Sequence, residues 1–167
     1  IFVRFSRPTA KVLFSNKMEI APFDGKPTLM LRVANGRHQT MVDAQFYLIM
    51  IRDEPVLEGD TARRFYNLKL TFDRIVMFPA AITLRHVIDE SSPLHGSTAE
   101  DLKTNDVRFM VSVNAIDTVI PAPLQSQQDY LWQDVRFGEQ FVEIYTIDET
   151  GRYTVDYGRL HDTEPVP

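Results

Sequence analysis

The chain has 167 residues, 44% hydrophobic and 25% charged, with 18 basic against 23 acidic side chains, a net charge of −5 and no cysteine. This fits one folded domain with its own core, and the missing cysteines exclude disulfides, thiolate metal sites and cysteine nucleophiles. The acidic balance argues against nucleic-acid binding, and no apolar run approaches the roughly 18 residues that cross a bilayer, so the sequence reads as a soluble domain without a signal peptide.

The opening stretch, IFVRFSRPTAK, carries Arg4, Arg7 and Lys11 with no acid before Glu19. An apolar start with sparse cations suits a membrane surface, and equally a frayed basic terminus. Period-two segments follow. AKVLF (10–14) alternates Ala10, Val12 and Phe14, and TLMLRVAN (28–35) sets Leu29, Leu31 and Val33 against Met30, Arg32 and Ala34. Each predicts a half-buried strand. VDAQFYLIMIR (42–52) places Val42, Ala44, Phe46, Leu48 and Met50 on one face; Tyr47, Ile49 and Ile51 opposite predict burial on both sides near its end.

Further strands are predicted at RRFYNLKL (63–70), RIVMF (74–78), AITLRHVI (81–88), VRFMVSVNA (107–115), QFVEIYTI (140–147) and RYTVDYG (152–158). DGK (24–26), NGR (35–37) and DETGR (148–152) are hairpin signals between them. Many short strands with such turns specify a sandwich or a barrel. One helix is predicted, STAEDLKT (97–104), where Ser97 and Glu100 make an S-x-x-E capping box. In IDTVIPAPL (116–124), Pro121 and Pro123 lack backbone donors, so the segment must be an edge or a loop. Its Ile116, Val119, Ile120 and Leu124 need another surface to cover them, a first sign of an oligomer.

HVIDESSPLHG (86–96) brings His86, Asp89, Ser91 and Ser92 together and raises the question of a catalytic triad. Triads draw their members from separate segments, and neighbours on a strand point to opposite sides, so Asp89 and Glu90 cannot aim together at one atom. A structural corner fits better: a strand ending at Asp89, a turn in which Asp and Ser side chains bond the backbone, and Pro93 stopping the ladder. No nucleotide-binding or hydrolase motif occurs, and His38, His86, His95 and His161 lack ligand spacing. From the residues alone, the reading stops at an all-β domain with neither a catalytic set nor a metal site.

Five segments in order carry a resemblance. HVIDESSPL resembles the signature that follows the central strands in the cytoplasmic domain of inward-rectifier potassium channels. RPTAKVLFS is similar to that family's opening segment, LMLRVANGR to its first core strand and turn, EGDTARRFYNLKL to its Glu-Gly loop, and YGRLHDTEPV to its closing segment. The likeness runs from about Arg7 to Val166. It implies an all-β, immunoglobulin-like β-sandwich with one short helix, in which residues 1–8 are a tether from the pore's inner helix and 9–167 the cytoplasmic gating domain. It further implies a homotetramer forming a fourfold ring under its own transmembrane pore domain, at the cytoplasmic face of the cell inner membrane.

The family pattern needs no cofactor, takes K+ as permeant ion and admits Mg2+ or polyamines as pore blockers. Glu58 matches the pore-lining acid of the Glu-Gly loop; Asp73, by a gapped alignment, and Asn114 and Asp117, by position, join it as pore-lining. Ala115, Ile116, Thr118, Val119 and Ile120 fall in the apical gate loop, and Arg4, Arg7 and Lys11 at lipid-headgroup positions. Two departures matter. Asn114 and Ala115 stand where the family often has an acid and a glycine, and the dense Lys/Arg run of animal members is reduced to RPTAK, which implies anionic-lipid modulation without strict phosphoinositide dependence. The alternative is a free-standing β-sandwich that binds a ligand or a protein, with a hydrolase third.

Overall fold

Strands follow one another along the chain as β1 (Val12–Phe14), β2 (Met18–Phe23), β3 (Lys26–Asn35), β4 (Met41–Pro55), β5 (Thr61–Leu68), β6 (Arg74–Phe78) and β7 (Ala81–Val87). The helix α1 (Ala99–Thr104) precedes β8 (Arg108–Asp117), β9 (Pro123–Leu131), β10 (Val135–Phe137), β11 (Glu139–Phe141), β12 (Tyr145–Ile147), β13 (Tyr153–Val155) and β14 (Thr163–Pro165). They come from a computed structural model, which describes residues 12–36, 41–78, 80–118 and 122–167.

Two five-stranded sheets form from them. In the first, β3 pairs with β7 along one edge and with β1 and β2 in succession along the other, and β10 adds to β2 in parallel. In the second the order is β5-β4-β8-β9, with β6 on the same edge of β4 as β5. The inner faces meet in one core, where Met18, Leu29, Leu31, Val33 and Leu84 from the first sheet pack with Phe46, Leu48, Met50, Phe109, Val111 and Tyr130 from the second. This is the all-β, immunoglobulin-like sandwich with one short α-helix that the resemblance implies.

The C-terminal stretch adds a layer over the outer face of the first sheet. Val142, Ile144 and Leu160 pack there against Ala34 and Ala81, a second small core. The Tyr145 hydroxyl accepts from the Ala81 amide at 2.7 Å and donates to the same residue's carbonyl. β3 is therefore buried on both faces from Thr28 to Asn35, where alternation alone predicted a half-buried strand.

Ser15, fully buried, joins the layers at the end of β1. Its amide donates to the Arg32 carbonyl at 2.8 Å, its hydroxyl accepts from the Arg32 amide at 3.1 Å and donates to Lys17, and its carbonyl accepts from Tyr130 of the second sheet at 2.7 Å.

Other expectations shift in detail. β4 is buried on one face, with Tyr47 50% exposed, so its far end is not enclosed on both sides. A bulge between Val42 and Gln45, with Asp43 at φ 51°, inverts the alternation so that Met41 rather than Val42 points inward. The helix is capped by Thr98, not Ser97: its hydroxyl accepts from the Asp101 amide at 3.2 Å while the Asp101 carboxylate accepts from the Thr98 amide at 2.9 Å. Of the hairpin signals, Asp24 and Gly25 both take positive φ in a two-residue turn, as the tight connection requires. QFVEIYTI divides between β11 and β12, and β2, β9, β10 and β14 carry no signal strong enough to be read in advance.

Candidate functional site

The acids singled out by resemblance are set by β4 and its neighbours. β4 and β5 form a hairpin whose tip is closed by the Val56 amide donating to Asp60 at 2.9 Å and by Gly59 at φ 90°. Glu58 stands at that tip, exposed beside a fully exposed Leu57. Asp73 follows β5 at the other end of the sheet; its carbonyl accepts from the Phe46 amide at 2.8 Å and its side chain is exposed. β4 from Gln45 to Pro55 separates the two acids, on the order of 30 Å at ~3.3 Å per residue.

Near Asp73, β8 reaches its end. Asn114 lies in register with Gln45 and Gln125 on the outer face, and Ile116, 41% exposed, shares that face. Strand alternation sends Ala115 and Asp117 inward, at 5% and 1% exposure. Of the positions that the resemblance puts at the pore wall or in the gate loop, Ala115 thus belongs to the core and the Asp117 side chain is buried, whereas Asn114, Ile116 and Thr118 are exposed. Val119 and Ile120, like Arg4, Arg7 and Lys11, lie outside the described residues.

A hollow of about 480 Å³ opens here, lined by Asp43, Gln45, Asn114, Ile116, Pro123 and Gln125. Asp43 was missed by sequence reasoning, although an acid breaking the apolar run MVDAQF was a visible signal. The bulge turns it outward, where Arg74 bonds it at 2.6 and 2.7 Å. Asp73 therefore sits next to an anchored cation.

The corner at His86 has a different character. One ring nitrogen lies 2.7 Å from the Lys69 carbonyl and the other 2.8 Å from the Ser92 hydroxyl. A carbonyl only accepts, so Nδ1 carries the hydrogen and Nε2 accepts from Ser92. Serine and histidine do meet, but His86 is oriented by a backbone carbonyl instead of Asp89, and both are buried. Asp89 takes the Ser91 amide and hydroxyl at 2.9 and 2.6 Å, which hold its carboxyl below the usual range. Arg52 ties the corner to β4 by donating to the Pro93 carbonyl at 2.6 Å. The corner is held by Asp and Ser side chains bonding the backbone, as its turn chemistry predicts. Among the described residues no cluster of His, Asp and Glu is arranged to hold a metal, and no helix is long and apolar enough to cross a membrane.

Residues 12–167 match the family model described as inward rectifier potassium channel C-terminal domain. The chain is 37% identical to inward rectifier potassium channel Kirbac3.1 of Paramagnetospirillum magnetotacticum over 162 residues, which cover 97% of this chain and 55% of that protein. It is 30% identical to ATP-sensitive inward rectifier potassium channel 12 of Mus musculus over 174 residues, 100% of this chain and 40% of that protein. Inward rectifier potassium channel 4 of Mesocricetus auratus is 31% identical, with 99% of this chain and 39% of that protein covered. The chain thus spans about half the length, or less, of these curated relatives.

Proposed function

The chain belongs to the inward rectifier potassium channel C-terminal domain family, and from that premise we propose that it extends and gates the pore of a potassium channel, as a fourfold ring of identical chains beneath their own transmembrane pore domain at the cytoplasmic face of the cell inner membrane. The match over residues 12–167, which takes in both sheets and the C-terminal layer, carries this reading. Residues 1–8 act as the tether to the membrane part and 9–167 as the gating domain.

Four copies at −5 each carry about −20, and acids converging on an axis raise the local concentration of cations by field focusing. Glu58 is the acid best placed for this, because it stands exposed at a hairpin tip; Asp73 contributes less beside the Asp43–Arg74 pair. K+ passes this wall, and Mg2+ and polyamines bind it as blockers. At the other end of the second sheet, Asn114, Ile116 and Thr118, with Val119 and Ile120 beyond them, narrow the path at the apex, where an apolar ring closes by dewetting. Ala115 and Asp117 shape that loop from within the fold. Arg4, Arg7 and Lys11 meet anionic lipid at about 1 kcal/mol each, enough to bias a gate but not to anchor the domain.

The test is block by internal spermine in the full-length channel reconstituted in bilayers. Glu58→Gln should weaken block severalfold at unchanged single-channel selectivity; block equal to wild type removes Glu58 from the pore wall.

A further inference from the structure

Glu19 projects from the outer face of the first sheet, in register with Met30 of β3 and Arg136 of β10, and is 0% exposed beneath the C-terminal layer. Neither carboxylate oxygen has a partner at full hydrogen-bond geometry, and the Phe141 amide is the one backbone group that bears on it. On the same face, Arg32 donates from Nη2 to the Val142 carbonyl at 2.6 Å and lies 4.6 Å from the centre of the Phe141 ring, leaving Nη1 unpartnered. Arg85 of β7 stacks 4.0 Å over Phe23, with Nε unpartnered. A cavity of about 220 Å³, lined by Glu19, Arg32, Arg85, Phe141 and Glu143, adjoins a second of about 200 Å³ that shares both arginines.

The charges that bear on Glu19 come from every neighbouring element. Arg32 on β3, Lys17 before β2 and Glu139 on β11 act on its carboxylate directly. Arg85 and Glu143 face it across the cavity, and Arg136 on β10 is engaged by Glu139 at 3.9 Å and by the Gln133 carbonyl at 2.7 Å. An ion enclosed with too few hydrogen bonds is costly, and the cost falls when it takes a proton or when its cover lifts.

We propose that Glu19 is a proton-operated fastener of the C-terminal layer: with a proton, it lets residues 139–145 close over the first sheet, and ionised, it drives that segment open to admit water to the carboxylate and the two guanidinium groups. Burial lifts the Glu19 carboxyl from its ordinary 4.5 to about 7, while the Phe141 amide and Arg32 pull it down and Glu139 adds to the rise. The closed form thus keeps the proton up to about pH 7 and the open form only to about 4.5. Closure is favoured most below the lower value, loses about tenfold per pH unit between the two, and is constant above the higher one. Through Arg32 and Val142 the device reaches the second core of the layer.

Hydrogen exchange on the full-length protein, with rates corrected for their intrinsic pH dependence, tests this. Peptides covering 139–145 should lose protection by about tenfold per unit between pH 5 and pH 7 and then level off, while Glu19→Gln should keep them protected throughout. Equal pH dependence in the two proteins overturns the proposal. Should the variant fail to fold, carboxyl-selective NMR of wild type decides: a Glu19 midpoint near 7 supports it, and one at the ordinary carboxylate value refutes it.

Discussion

β3 and β8 each run for 10 residues through the middle of a sheet, yet β3 is buried from Thr28 to Asn35, whereas β8 buries Phe109, Val111, Val113 and Ala115 and exposes Arg108, Asn114 and Ile116. The inner faces are alike; the outer ones differ because the chain returns after β10 to cover the first sheet and leaves the second open. On that open side Tyr47 is 50%, Phe65 67% and Leu131 42% exposed, and the hollow beside Asn114 lies on the same face. A strand that alternates in burial marks a face left to solvent, and a strand buried throughout marks one that the chain itself has covered.

The contrast can be broken most strongly at Leu160, 1% exposed and central to the second core. Leu160→Ala should cost about 2–5 kcal/mol, read as a lower denaturant midpoint, by loss of contacts and the cavity left behind. A smaller cost, under about 1 kcal/mol, would mean that the C-terminal layer is only loosely applied. Next comes Tyr145→Phe, which removes the hydroxyl that serves both backbone groups of Ala81 and should cost about 1–2 kcal/mol with no change in core packing. Hydrogen exchange would show the loss confined to β12 and β7. Smallest is Phe65→Ser on the open face, expected within about 0.5 kcal/mol of wild type in stability. If this face meets another chain in the fourfold ring proposed above, sedimentation of the full-length protein should register weaker association, and a large stability loss would show that the chain covers this face itself.

How far the sequence discloses this arrangement depends on side-chain pattern. β4, β7 and β8 are legible because each has one apolar face, and the Asp-Gly turn because two successive positive φ values demand it. β9 was hidden: PLQSQQDYL is a polar edge strand held by its backbone ladder to β8, with Leu124 and Tyr130 as its buried contacts. The bulge at Asp43 left no periodic trace beyond one acid in an apolar run, and it alone moves Met41 inward. For the candidate site, exposure of Glu58 follows from its place in a turn, and alternation along β8 separates Asn114 and Ile116 from Ala115 and Asp117 once the register is known. Burial of Glu19 could not be read from KMEIAP, because the layer that encloses it arrives some 120 residues later, on the order of a whole domain's length away. Resemblance, from about residue 7 to 166, supplied the family that periodicity could not.

The Ser15 junction has a mechanical meaning. Among the described residues β1 pairs with β3 through Val12, Leu13 and Phe14, a ladder that a pull on the N-terminal side would unzip one rung at a time. At Ser15 the pull meets bonds to Arg32 in one sheet and Tyr130 in the other, loaded together. Bonds that share a load fail at higher force than bonds taken in sequence. Tension arriving there would therefore be shared between the two sheets instead of peeling one strand.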